Sequence, residues 1–357
     1  VLIIDTFIME DTRIRQLEER EAAVLRAVVY EYITTGKPVG SRSFVQKYNF
    51  SISPATMRNI MYDLETMEFL KQPHTSAGRI PTDQGYRFYV DSLLDSYDYT
   101  SVPDVQVKEE MIKRELQLDR VFSSITRLLS QVSKYSGVML TPKPDFTVIK
   151  RIELIPLDTS DVLVILITRT GLVFNRKVVL SESVTREELS DFSGYLTSEL
   201  CGYSIIEIRK NLVEELRVRK EPGFDSDRAL DILELALKEF DEPELYIDGV
   251  ENLLRIPEMV ESAPLNSLLN IIEDRETLRG ILERLMEKEG ISTLIGDEIE
   301  SERVTGCSMV ATGYKIGNKR VGVIGILGPT RMDYEKAVPL IDYTGNLVSD
   351  FLTQMSK

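Results

Sequence analysis

Through the first ninety residues, apolar side chains recur at the spacing of helices that each bury one face. Leu17, Val24, Leu25, Val28, Val29 and Tyr32 share a face of a helix expected over 14–35. Gly36 stops it, and Pro38 prevents its resumption. Ser41 can cap a short second helix over 42–48, and 49–51 reads as a turn. Ser53-Pro54, a capping serine followed by proline at the first helical position, starts a third helix running to about Phe69. Met57, Ile60, Met61, Leu64 and Met67 form its apolar stripe. Residues 70–82 read as two short extended pieces around a Ser-Ala-Gly tip, and helical spacing returns over 83–94. Helix, helix, turn, helix, hairpin predicts a winged helix-turn-helix over 15–98, with 1–14 as an N-terminal extension.

Beyond a polar boundary near Pro103 the texture changes. A long amphipathic helix is expected over 105–135, then β-rich runs at 147–156, 162–169 and 172–180. Helices fit 186–200 and 204–219, and Pro222-Gly223 breaks the chain. Residues 224–290 read as almost entirely helical and acidic; strands resume after Gly290 at 304–314 and 320–327, and a helix closes the chain over 333–355. Because sheet edges need pairing, the strands before Pro222 and after Gly290 are expected to share one α+β domain, 99–221 with 291–357. Residues 222–290 would then be a mainly helical insertion. Its apolar positions Leu230, Leu233, Leu237 and Phe240, with Leu278, Leu282 and Leu285, fit an intradomain core, a subunit interface or both. The fold class is thus multidomain α+β.

Composition narrows the chemistry. The 357 residues are 43% hydrophobic and 28% charged, an ordinary globular balance. No apolar run is long enough to cross a membrane, and residues 1–4 lack the features of a secretory signal. One histidine and two cysteines cannot assemble a four-ligand zinc site, and Cys201 and Cys307 read as buried free thiols. No nucleophile–base–orienter set is visible, so an enzyme is not expected. The net charge of −15 would repel nucleic acid if it were spread evenly. It is not. Between Lys37 and Arg87 stand seven basic residues and four acidic ones, a basic head on an acidic body.

On the third helix, the side opposite the apolar stripe presents Ala55, Arg58, Asn59 and Tyr62. Arg bonds guanine bidentately, Asn bonds adenine, and Ala packs on a thymine methyl, so this face suits base readout; a solvated surface helix would show the same spacing. In the hairpin, His74, Thr75, Ser76 and Arg79 surround Ala77-Gly78, a slim tip able to enter a minor groove or clasp phosphates. Lys37, Arg42 and Lys47 sit near the second helix, where each would either grip a phosphate or be merely solvated. The stretch GILGPTR (325–331) lacks the Gly-Lys-Ser/Thr ending of a phosphate loop and reads as a strand-to-helix turn.

Three blocks, PVGSRSF (38–44), SPATMRNIMYDLE (53–65) and PHTSAGRIPTDQGYRFYVD (73–91), together closely resemble the heat-inducible transcription repressor family HrcA. GVIGILGPTRMDYEKAVPLIDY (322–343) resembles that family's second hallmark, so the likeness spans both ends. The resemblance implies a winged-helix domain, a GAF-like domain and an inserted dimerising domain. It implies a cytoplasmic homodimer that represses chaperone operons at an inverted-repeat operator and depends on a GroE-type chaperonin for its active form. No cofactor is implied. By position it makes Ser53, Thr56, Arg58, Asn59 and Tyr62 base-reading residues, with His74, Thr75, Ser76 and Arg79 in the wing. Phe69 stands where many members carry glycine. The competing reading is a regulator whose GAF-like domain senses a small molecule.

Overall fold

The structure, a computed structural model, describes residues 17–48, 50–74, 77–98, 118–142, 148–169, 171, 173–219, 225–239, 243–256, 269–299 and 306–355. The expected extension at 1–14 and the first part of the long helix, 105–117, lie outside the described residues. What is described is a mainly helical head with a two-stranded hairpin, and two larger separate sheets with their covering helices.

The head opens with α1 (Glu19–Thr35), which buries Val24, Leu25, Val28 and Val29 and ends at Gly36 with a left-handed φ of 67°. α2 (Ser41–Tyr48) buries Phe44, and α3 (Pro54–Thr66) buries Met57, Ile60, Met61 and Leu64. The third helix is shorter than expected. The chain leaves it through Glu68, whose φ is 65°, so the left-handed turn falls on Glu68 and frees Phe69 to point inward, edge-on to Phe88 at 5.9 Å. Two short strands follow, β1 (Leu70–Lys71) and β2 (Ile80–Pro81), paired antiparallel. Thr82 then caps α4 (Asp83–Ser96) by accepting from the Gly85 amide.

The body is built on a five-stranded antiparallel sheet. After α5 (Leu118–Ser133) comes β3 (Ser136–Leu140). The sheet is completed far along the chain by β7 (Leu245–Asp248), β8 (Ile291–Ile295), β9 (Cys307–Ile316) and β10 (Lys319–Pro329), in the order β7-β3-β10-β9-β8. Helices cover both faces. α5 and the C-terminal α12 (Tyr334–Met355) pack on one side, and α11 (Arg275–Glu287) on the other. That explains why β9 and β10 are nearly continuous apolar runs: a strand covered on both faces has no solvent side to mark.

The second sheet is β4 (Ile149–Pro156), β5 (Asp161–Thr168) and β6 (Val173–Val179), in that order, with no pairing to the first among the described residues. α6 (Arg186–Leu200) lies on it, starting at a Thr185–Glu188 capping box. It also seals the outer edge of β4: Thr197 Oγ1 bonds both the amide and the carbonyl of Ile152 at 3.0 Å, and Ser193 Oγ accepts from the Leu154 amide at 2.8 Å. The chain continues through α7 (Ile205–Glu207), a π turn (Ile208–Leu212) and α8 (Val213–Val218) to α9 (Ser226–Glu239), which packs on β6 and α6.

Two sequence expectations are corrected here. Residues 222–290 are not one helical insertion: α9 belongs with the three-stranded sheet, whereas β7 and α11 belong to the five-stranded one. The unit set into the body is therefore the segment from β4 to α9, because strand pairing is long-range and strand texture alone does not say which sheet a strand joins. Leu230, Leu233 and Leu237 are accordingly buried in one core, and Leu278, Leu282 and Leu285 in another. The second correction is Cys201, which is exposed just past the last turn of α6; Cys307 is buried in β9, where burial pushes its thiol up to about 12.

Candidate nucleic-acid interface

The local chemistry of α3 determines what its outer face can offer. Ser53 Oγ accepts from the Thr56 amide at 3.0 Å and lies 2.9 Å from Thr56 Oγ1, so these two hydroxyls hold the helix start together. With Met57, Ile60, Met61 and Leu64 packed inward, Ala55, Arg58, Asn59 and Tyr62 are exposed, Tyr62 to 61%. The Arg58 and Asn59 side chains make no hydrogen bond with described residues. A helix start that projects an unpaired guanidinium and an unpaired carboxamide is equipped to bond base edges.

The hairpin is tied to the head at its base. Val39 and Arg79 exchange backbone hydrogen bonds of 2.8 and 2.9 Å, an isolated antiparallel bridge next to β2. Gly78 makes this possible, since a Cβ there would lie 2.4 Å from the Val39 carbonyl carbon and oxygen. PVG and SAGR, far apart in sequence, are therefore two halves of one joint. His74 is exposed beyond it, and its carbonyl accepts from the Ala77 amide at 2.9 Å. Thr75 and Ser76 lie outside the described residues.

The expected cations divide into two groups. Lys37, Arg42 and Arg58 are exposed and make no ion pair with described residues. Lys47 and Arg79 are engaged. Lys47 Nζ bonds Glu31 at 2.6 Å, and the Tyr48 hydroxyl donates to the same carboxylate at 2.7 Å. Burial raises the Glu31 carboxyl, but those two hydrogen bonds outweigh it and hold it below its ordinary value. Arg79 turns back from the hairpin to pair with Glu65 of α3 at 2.8 Å, its side chain only 16% exposed. It braces the hairpin against the third helix instead of reaching outward from the tip.

Sequence reasoning missed what α4 does. Its Arg87 reaches Glu298 and Thr293 of the body, its Tyr89 hydroxyl donates to Glu335 at 2.8 Å, and Tyr97 just beyond donates to Asp342 at 3.2 Å. The only available signal was that polar and aromatic residues encircle this helix (Asp83, Tyr86, Arg87, Tyr89, Asp91), leaving no single solvent face.

Comparison with known proteins gives one consistent result. The profile described as HrcA protein C terminal domain matches residues 119–338. The heat-inducible transcription repressor HrcA of Geobacter sulfurreducens is 38% identical over 338 residues, covering 94% of this chain and 98% of the relative. The protein of the same name from Leptospira biflexa is 34% identical over 343 residues, covering 96% and 99%. A crystal structure of a hypothetical protein at 2.2 Å resolution aligns with a TM-score of 0.65 at 26% identity, covering 96% of this chain and 100% of that one.

Proposed function

The chain belongs to the HrcA family of heat-inducible transcription repressors, and on that premise we propose that it represses heat-shock chaperone operons as a dimer bound to an inverted-repeat operator. The head is a winged helix; α3 enters the major groove, and the hairpin flanks it. The observation that carries this reading is the outer face of α3, where Arg58 and Asn59 stand exposed and unpaired among described residues on a helix whose other side is locked into the core. Lys37 and Arg42 contact phosphates on either side. With Arg79 and Lys47 already paired, these exposed cations carry the attraction that the −15 body opposes.

Dimerisation falls to the inserted unit. Residues 162–167 of β5 are apolar without interruption, although only one face of that sheet is covered by described helices. On the other face lie Ile155, Leu163, Ile165, Ile167, Val173 and Val179, with Arg151–Glu153 and Lys177–Asp161 ion pairs alongside. An apolar patch bordered by both signs of charge is self-complementary, as a two-fold contact requires. The five-stranded body is the GAF-like domain. Heat relieves repression when chaperonin-supported folding fails.

The decisive measurement is operator binding as a function of sequence and salt. Arg58→Ala should lose about 1–3 kcal/mol of discrimination at one base position while its melting temperature stays unchanged. A variant that binds operator and scrambled DNA as the parent does would sink the assignment of α3. Refolding the purified protein with and without a GroE-type chaperonin, scored by operator binding, tests the route by which heat acts.

A further inference from the structure

Head and body are held together by two arginines pointing in opposite directions. Arg87, on α4 of the head, donates from Nη2 to the Thr293 carbonyl at 2.7 Å and from Nε to Glu298 at 2.8 Å; Asp91 steadies its Nη1 at 3.2 Å. Arg331, in the turn after β10 of the body, donates from Nη1 to the carbonyls of Ile33 at 2.7 Å and Tyr32 at 3.4 Å. Both carbonyls sit in the last turn of α1, whose end favours a cation; that of Tyr32 also accepts from the Gly36 amide at 2.9 Å. Each domain thus completes the backbone of the other. Close by, the Tyr86 ring lies 6.4 Å from that of Tyr334, and the Asp83 carboxylate fills the space over Gly296, where a Cβ would come within 1.6 Å of it.

We propose that this reciprocal clamp makes Arg87 and Arg331 the residues that set spacing selectivity, holding each α3 at a fixed distance from the dimer axis so that one separation of operator half-sites is preferred. The proposal rests on the operator-binding dimer inferred above. In a two-fold dimer, the separation of the two reading helices follows from where each head sits on its body. Guanidinium–carbonyl bonds are directional, and a head held by several of them meets DNA already oriented. Neither arginine need touch DNA. Both are positioning residues.

The test uses the full chain and fluorescence anisotropy. The probes are the inverted repeat that the unaltered protein selects from a randomised duplex pool, the same repeat with its spacer changed by single base pairs, and a single half-site. The unaltered protein should prefer its selected spacing by at least about tenfold, in the range of a base-pair mismatch. Arg87→Met and Arg331→Met should shrink that preference to about threefold or less while leaving single half-site affinity unchanged. Arg331→Lys, which still donates to a carbonyl, should keep most of it. If Arg331→Met does not fold, Tyr89→Phe with Tyr97→Phe loosens the same contact by removing two hydroxyls. The clamp proposal is overturned if the arginine variants keep the full preference, or if they bind every spacing more tightly than the parent. An unaltered protein that binds the half-site but selects no inverted repeat overturns the dimeric-operator reading itself, and the two failures are told apart by that result.

Discussion

α3 and α4 belong to one head and carry the same residue types, yet the structure gives those residues opposite situations. On α3, Arg58 and Tyr62 are exposed and have no side-chain partner among described residues. On α4, Arg87 is 19% exposed and bonded to three residues, and the Tyr86 and Tyr89 rings are buried. Residue type therefore does not distinguish an exposed face from a docking face; what distinguishes them is whether the chain itself supplies the partner among described residues. A guanidinium left unpaired by its own fold remains free for an external acceptor, whereas one given a carboxylate and a carbonyl has been assigned to structure.

That contrast can be broken or sharpened by measurement. The largest effect is expected on the docking side: Tyr86→Ala removes a buried ring that packs toward Tyr334 and should cost about 3–5 kcal/mol of stability by urea unfolding. Asn59→Ala should do the converse, leaving the urea midpoint in place while discrimination at one base pair falls by about 1–3 kcal/mol. Ser53→Ala stands between them, since its hydroxyl caps α3; a loss of about 1 kcal/mol in stability is expected, with weakened operator binding following from the frayed helix start. Lys37→Ala should lower affinity for specific and nonspecific DNA alike and reduce the slope of log affinity against log salt by about 1, with no change in stability. The smallest effect concerns pH. Burial raises the Asp83 carboxyl above its ordinary 3.8, so the docked state binds a proton more readily than the unfolded chain. Its contribution to stability must then improve as pH falls from neutral through that raised value, and level off below 3.8. Asp83→Asn should flatten the midpoint of unfolding across mildly acidic pH relative to the parent; identical slopes would remove Asp83 from the account.

How much was legible beforehand depended on the range over which each feature is determined. α3 could be read because its signals are local, a serine–proline start and one apolar stripe, and its end was missed by three residues because Glu68 adopts a left-handed turn without being glycine. α6 could be read to the residue, 186–200, because Thr185 and Glu188 form a capping box at its start. The β7 strand was hidden in a stretch that reads as helical, and only its pairing with β3 identifies it. Of the candidate site residues, those exposed on α3 follow from periodicity. The diversion of Arg79 to Glu65 and of Lys47 to Glu31 does not, because each partner lies on another element. Arg331 was read as part of a turn, which it is; that it also finishes a helix 298 residues earlier is information that no local window contains.

The order of strands in the five-stranded sheet has a consequence for synthesis. β3 is made before both of its neighbours: β7 begins only at Leu245 and β10 only at Lys319. The head and the β4–α9 unit are contiguous in sequence and can form as they emerge. The sheet that joins them cannot close until β10 has been made. From the making of β3 until the making of β10, each nascent chain therefore carries Val138, Met139 and Leu140, all wholly buried in the finished fold, without the strand that will pair with them. Such a topology makes the yield of finished protein depend on how long an incomplete sheet can be kept from other incomplete sheets, and heat shortens that time.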